Sequence, residues 1–119
     1  MKNMLAMIVI LSGLTLASQA QDLPISQIII DGESWELIAE GYQFTEGPAV
    51  NAEGEIYFTD VPASKIYKVS LDGEVSLFSD QANKTAGLMF GADGMLYGTS
   101  IGGKAIVQFD KQGTPTAIA

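Results

Sequence analysis

Forty residues after Thr45 the chain begins to repeat itself without a gap. Thr45 falls on Thr85, Gly47 on Gly87, Ala52 on Ala92 and Gly54 on Gly94. Tyr57 then falls on Tyr97, Thr59 on Thr99, Ile66 on Ile106 and Gly73 on Gly113. Ile56 meets Leu96 and Val61 meets Ile101. A period near 40 residues holding about four short strands is the signature of a β-propeller blade. The fold class expected is therefore all-β, a β-propeller, with about two four-stranded blades and a leading strand. A ring needs roughly four to eight blades, so two cannot close it. The expectation is a chain that forms the N-terminal part of a larger propeller; the other possibility is assembly with copies of itself.

Period-two alternation as in "KIYKVSL", β-branched and aromatic enrichment, and turn pairs such as "DG" and "QG" mark the strands. They are predicted near 35–39, 47–51, 55–60, 65–71, 74–79, 86–91, 95–101, 105–110 and 115–118. The strand near Trp35 precedes the repeat and is expected to lie at a sheet edge, completing another blade.

The first 20 residues have a different character. Lys2 gives a positive start, Met4 to Leu16 form an uncharged apolar stretch, and Ser18 and Ala20 are small residues at cleavage-site spacing. This is the order of a secretory signal peptide, and the apolar stretch is shorter than the roughly 20 residues of a membrane span. The expected organisation is a signal peptide at 1–20, a connector at 21–34 and the incomplete propeller domain at 35–119, in a secreted or periplasmic protein with no membrane association in its mature form.

Removing the leader takes one lysine and leaves a net charge of −9, against −8 for the whole chain. That acidity and the lack of arginine argue against nucleic acid and anionic lipid as partners. There is no His and no Cys. Ser-His triads and His-ligated zinc are thereby excluded within the chain. Carboxylate, hydroxyl, amide and lysine chemistry remain, and carboxylates suit hard divalent cations.

The repeat supplies its own control. Where both copies agree, the scaffold wants the residue: Tyr57 and Tyr97 for packing, Thr59 and Thr99 for hydrogen bonds within the blade. Where they differ, the scaffold does not dictate the choice. Glu46, in "FTEGPAV", falls on Ala86, so a blade can be built without it. It opens the first strand of its blade, the strand that lines the channel of propellers. A carboxylate there is costly unless a cation or donors compensate it, which makes Glu46 a candidate ligand; the alternative is a solvated glutamate before a turn. Asp60, opposite Ser100, reads as a strand-end residue bonding local backbone. Asn51, Glu53 and Asp93 read as turn residues, and Lys65 and Lys68 as an exposed strand face.

The stretch "FTEGPAVNAEGEIYFTDVPASKIYKVSLDG" resembles the senescence marker protein (regucalcin), gluconolactonase and luciferin-regenerating enzyme family. The resemblance covers roughly residues 35–119. It implies a six-bladed propeller in the intact parent, with a divalent cation in the channel, Ca²⁺ foremost and Zn²⁺ or Mg²⁺ as alternatives. It implies an exported hydrolase of sugar lactones or related esters, of which this chain is the N-terminal third. The Glu of its E-G-P maps onto Glu46 as a metal ligand. The remaining ligands and the catalytic Asp would lie beyond Ala119, in the remaining blades. Substrate contacts would come from "NKTAGL", giving Asn83 and Thr85 as substrate-binding candidates. Many bacterial members have Asn just before the Gly-Leu, where this chain has Ala86. The alternative is a non-catalytic secreted propeller that binds a ligand or a protein.

Overall fold

The computed structural model describes residues 29–119. The expected leader, residues 1–20, and most of the connector lie outside the described residues. Residues 36–119 form one compact unit of eight strands. Residues 29–35 belong to a separate unit, in which the Glu33 amide closes a turn on the Ile30 carbonyl.

The strands are β1 (Thr45–Val50), β2 (Ile56–Asp60), β3 (Lys65–Val69), β4 (Val75–Ser79), β5 (Thr85–Phe90), β6 (Leu96–Ser100), β7 (Ala105–Phe109) and β8 (Pro115–Ala117). They make two four-stranded antiparallel sheets, β1-β2-β3-β4 and β5-β6-β7-β8, each a meander in sequence order. Eight predicted strands are thus present within two residues at either end. The ninth is not. Residues 35–39 form no strand and join no ladder. The "WELIA" pattern has β character, but a strand needs a hydrogen-bonding neighbour, and none of the described strands pairs with it. From Glu36 the chain instead runs to the outer face of the first sheet, where the Tyr42 ring stands edge-on to Phe58 and Tyr67 at centroid separations of 5.1 and 4.9 Å.

The two sheets pack face to face. Alternation along β2 sends Tyr57 and Thr59 towards the second sheet and Ile56 and Phe58 away from it. The seam is apolar and closely packed: Ile66, Leu96 and Phe109 are at most 2% exposed. Tyr57 meets Phe78 and Phe90 edge-on, each at 5.0 Å. Burial of the Tyr57 ring, followed by the nearby Glu55 charge, raises its phenol pKa.

Two glycines of the repeat lie where the sheets touch. A side chain at Gly47 would strike the Ala86 carbonyl, and one at Gly113 would strike the Phe78 carbonyl. Ser79 Oγ also donates to the Gly113 carbonyl at 2.6 Å. Both innermost strands break register at the same place, between Glu46 and Ala49 in β1 and between Thr85 and Leu88 in β5. β1 lies against β5 along the inner edge. Glu46 is therefore carried by the edge that borders the channel in a propeller.

Candidate functional site

Glu46 is the second residue of β1 and is exposed. Its carboxylate has no hydrogen-bond or ion-pair partner among the described residues. Its backbone, by contrast, is held from two sides. Thr59, fully buried on the paired strand, places its hydroxyl 2.9 Å from the Glu46 carbonyl and 3.3 Å from the Ala86 carbonyl. One buried donor thus lies between the innermost strands of both sheets. Asp60, 3% exposed, accepts the amides of Gln43 and Phe44, each at 3.1 Å on a separate oxygen. The Val61 amide then bonds the Phe44 carbonyl. The three residues before Glu46 are thereby pinned to the end of β2. The sequence reading of Asp60 as a backbone-bonding residue agrees with this placement.

Beside Glu46 lies a cleft of about 470 Å³, bounded by Glu36, Ile38, Tyr42, Thr45, Pro48 and Phe58. It is an open depression on the outer face of the first sheet, with Ile56 and Val69 also in its wall, and a closed propeller sets another blade against such a face. Its wall is mostly apolar. Tyr42 is its phenolic group, and burial, with Tyr67 and the Asp60 charge adding to it, raises the Tyr42 pKa. The phenol is a hydrogen-bond donor at neutral pH. Sequence reasoning passed over Tyr42, because it lies in the lead-in before the repeat and has no informative counterpart 40 residues on.

The two substrate-contact candidates part company. Asn83 is exposed, in a left-handed conformation with φ of 47°, in the turn before β5. Its backbone carbonyl accepts the Ser100 hydroxyl at 2.8 Å and the Gly102 amide at 3.2 Å. The turn is therefore fixed while its side chain remains at the surface, at the same end of the sheets as Glu46. Thr85 is placed differently. It is 1% exposed and its hydroxyl donates to the Ala82 carbonyl at 2.5 Å. As the first residue of β5 it faces the first sheet, and the threonine shared by both copies serves inter-sheet packing here.

Two smaller expectations also change. Asp93 is more than a solvated turn residue: it accepts the Tyr97 hydroxyl at 2.6 Å and the Met95 amide at 3.0 Å, and the phenol bond foremost lowers its pKa. Lys65 and Lys68 do not share a face, since an odd separation on a strand puts them on opposite sides. Lys68 pairs with Glu55 at 2.8 Å. Asn51 behaves as expected, its side-chain oxygen accepting the Glu53 and Glu55 amides within the turn.

Glu46 is a hard oxygen donor of the kind a divalent cation takes, but it is one donor. Ca²⁺ takes about six to eight oxygens. Among the described residues no group of three or more His, Cys, Asp or Glu side chains could hold a metal ion. These residues do not make a cation site by themselves.

No protein-family profile matches the chain, and no curated protein matches it. Solved structures do. A gluconolactonase from Xanthomonas campestris matches with a TM-score of 0.66 and 23% identity, over 69% of this chain and 28% of its own. A second protein described with the gluconolactonases gives 0.63 and 27%, over 69% of this chain and 29% of its own. The fold is a β-propeller's. Regucalcin from Agrobacterium tumefaciens, described as a calcium-binding protein, matches at 0.54 and 20%, over 60% of this chain and 28% of its own. Virginiamycin B lyase from Staphylococcus aureus shares the architecture as well, at 0.59 and 21%, over 76% of this chain and 32% of its own. The chain thus spans less than a third of each of these proteins. The lyase also shows that this fold hosts more than one chemistry.

Proposed function

We propose that this chain contributes two blades to an exported lactonase-type hydrolase, in which the Glu46 carboxylate is one ligand of a divalent cation. What carries the reading is the match of both blades to gluconolactonase structures, the first at a TM-score of 0.66. Two features of the chain agree with it. Glu46 stands unpaired on the inner edge, where the second blade has Ala86. The turn at Asn83, with its side chain at the surface, lies at the same end of the sheets. The calcium binding described for regucalcin favours Ca²⁺ as the ion.

A bound cation would supply polarisation of a lactone carbonyl. The residues of this chain act around that event. Glu46 holds negative charge at the inner edge, and the Asn83 turn presents an amide at the same end. Removing the Glu46 charge while keeping its shape tests the reading. The protein at its full translated length should hydrolyse a sugar δ-lactone and lose that activity to a chelator. Glu46→Gln should weaken Ca²⁺ affinity and turnover together. Equal affinity and equal turnover in Glu46→Gln would reject the role.

A further inference from the structure

Some buried polar groups bear on Glu46 without belonging to the proposed site. They are Thr59, which bonds the Glu46 carbonyl, and Asp60, which bonds the backbone just before it. We infer that Asp60 and Thr59 are positioning residues for Glu46, a pair that fixes the backbone of the "FTEG" segment and so aims its carboxylate. The inference rests on the reading of Glu46 as a site residue.

The internal repeat separates positioning from ordinary blade construction. Ser100 stands at the place of Asp60 in the second blade. Its hydroxyl donates to the Asn83 carbonyl and accepts the Gly103 amide at 3.0 Å, so it ties its lead-in by one bond to a carbonyl. Asp60 does something different. It takes two consecutive amides of the lead-in, Gln43 and Phe44, on its two oxygens. Two acceptors on one planar group fix direction as well as distance, and charge makes each bond stronger than its neutral counterpart. A blade evidently holds together with a serine at this place. The charged, two-armed grip occurs in the blade that carries Glu46; the serine occurs in the blade that carries Ala86.

Thr59 and Thr99 differ in the same direction. Thr99 Oγ1 accepts the Gly87 amide at 3.1 Å, a bond confined to its own sheet. Thr59 Oγ1 instead donates towards the carbonyl of Glu46 itself and reaches the Ala86 carbonyl of the neighbouring strand. Glu46 is thus clamped at its own carbonyl by Thr59, and upstream by Asp60 through Gln43 and Phe44. Gly47 follows at φ of 60°, a left-handed joint that turns the chain directly after Glu46.

A double-mutant cycle distinguishes this from plain stabilisation, because residues acting through one group are not additive while a stability loss is. The proteins are the full-length wild type, Glu46→Gln, Asp60→Ser, Thr59→Val, Thr59→Ser and the doubles with Glu46→Gln. Ca²⁺ affinity is measured by calorimetry, lactone turnover by kcat and KM, and stability by thermal melting. Asp60→Ser and Thr59→Val should each lower Ca²⁺ affinity and kcat by about 10- to 100-fold, the usual effect of losing a group that orients a ligand. Thr59→Ser, which keeps the hydroxyl, should restore both. In the Glu46→Gln background the same changes should cost nothing further in affinity or kcat, yet lower the melting temperature as they do in wild type. Should Asp60→Ser fail to fold, Asp60→Asn, which keeps one acceptor oxygen, takes its place in the cycle. Equal losses with and without Glu46 would overturn the inference and leave the proposed function standing. A silent Glu46→Gln would overturn both.

Discussion

At the scale of single residues, the comparison of the two repeat copies separates two kinds of side chain. Glu46 differs from Ala86 because the blade does not need it, and its exposed, unpaired carboxylate agrees with that. Gly47 is matched by Gly87, but the steric need is that of Gly47 alone: a Cβ at Gly87 would meet only Thr99 Oγ1 at 3.4 Å. The Gly47 φ of 60° disfavours any side chain, and a Cβ there would run into the Ala86 backbone. Gly94 has a similar φ of 75°, but a Cβ would meet nothing within 4 Å. Gly94→Ala should therefore cost about 1–2 kcal/mol, the penalty for the left-handed conformation. Gly47→Ala should cost clearly more, since a backbone carbonyl cannot swing aside as a side chain can. Urea denaturation of both variants checks the order; equal losses would show that the two inner strands are free to separate. Thr85 is shared with Thr45, which reads as scaffold, and its burial against the first sheet, at 1% exposure, agrees with that reading.

At the scale of strands and turns, nearly all of the architecture was legible. Alternation and Gly turns placed eight strands because each has its ladder partner nearby in sequence, so local pattern and pairing agree. The segment at 35–39 has the pattern without the partner, and pattern alone does not make a strand. Polar contacts across a turn were less legible, because they depend on register. Glu55 and Lys68 come together only through the antiparallel pairing of β2 and β3, which sets Tyr57 opposite Lys68. The Lys68 bond, then the Asn51 bond, lowers the Glu55 pKa, and the Glu55 bond raises that of Lys68. The signs give a pH profile. A lowered carboxylate stabilises the fold above its unfolded pKa and loses that contribution as pH falls through its folded pKa. The raised lysine contributes below its unfolded pKa and loses the contribution as pH rises through its folded value. The melting temperature should accordingly be flat near neutrality and fall on acidification below the ordinary carboxylate range. Glu55→Gln should remove part of that acid-side slope. Because both side chains are partly exposed, about 0.5 M salt should shrink the difference between variant and wild type. A Glu55→Gln profile parallel to wild type down to acid pH would remove the pair from the account.

At the scale of the whole molecule, the seam between the sheets shows what the outer faces are made for. Ile66 and Ile106 occupy the same place in the repeat, yet Ile66 is 0% exposed in the seam and Ile106 is 39% exposed on the far side of the second sheet. Leu96 and Ile56 make the complementary comparison, at 2% and 42%. The faces turned away from the seam thus carry the same class of apolar side chains as the faces within it, with Met89 adding a further exposed group at 68%. Burial decides the energetic consequence. Ile66→Ala should cost about 2–5 kcal/mol, the usual loss for truncating a fully buried aliphatic side chain. Ile106→Ala should cost much less in the same chain, because its side chain already meets water. Exposed apolar sheet faces promote association. The purified chain should therefore self-associate with rising concentration and bind a hydrophobic dye. Ile106→Asp, which places a charge on the outer face of the second sheet, should reduce both while leaving the inter-sheet seam intact. Sedimentation at several concentrations, with dye fluorescence alongside, provides the measurement. Unchanged association in Ile106→Asp, together with an unchanged melting temperature, would mean that this face is not where copies meet. A lowered melting temperature would mean instead that Ile106 supports its own sheet, and that the repeat position is structural in both blades whatever its exposure.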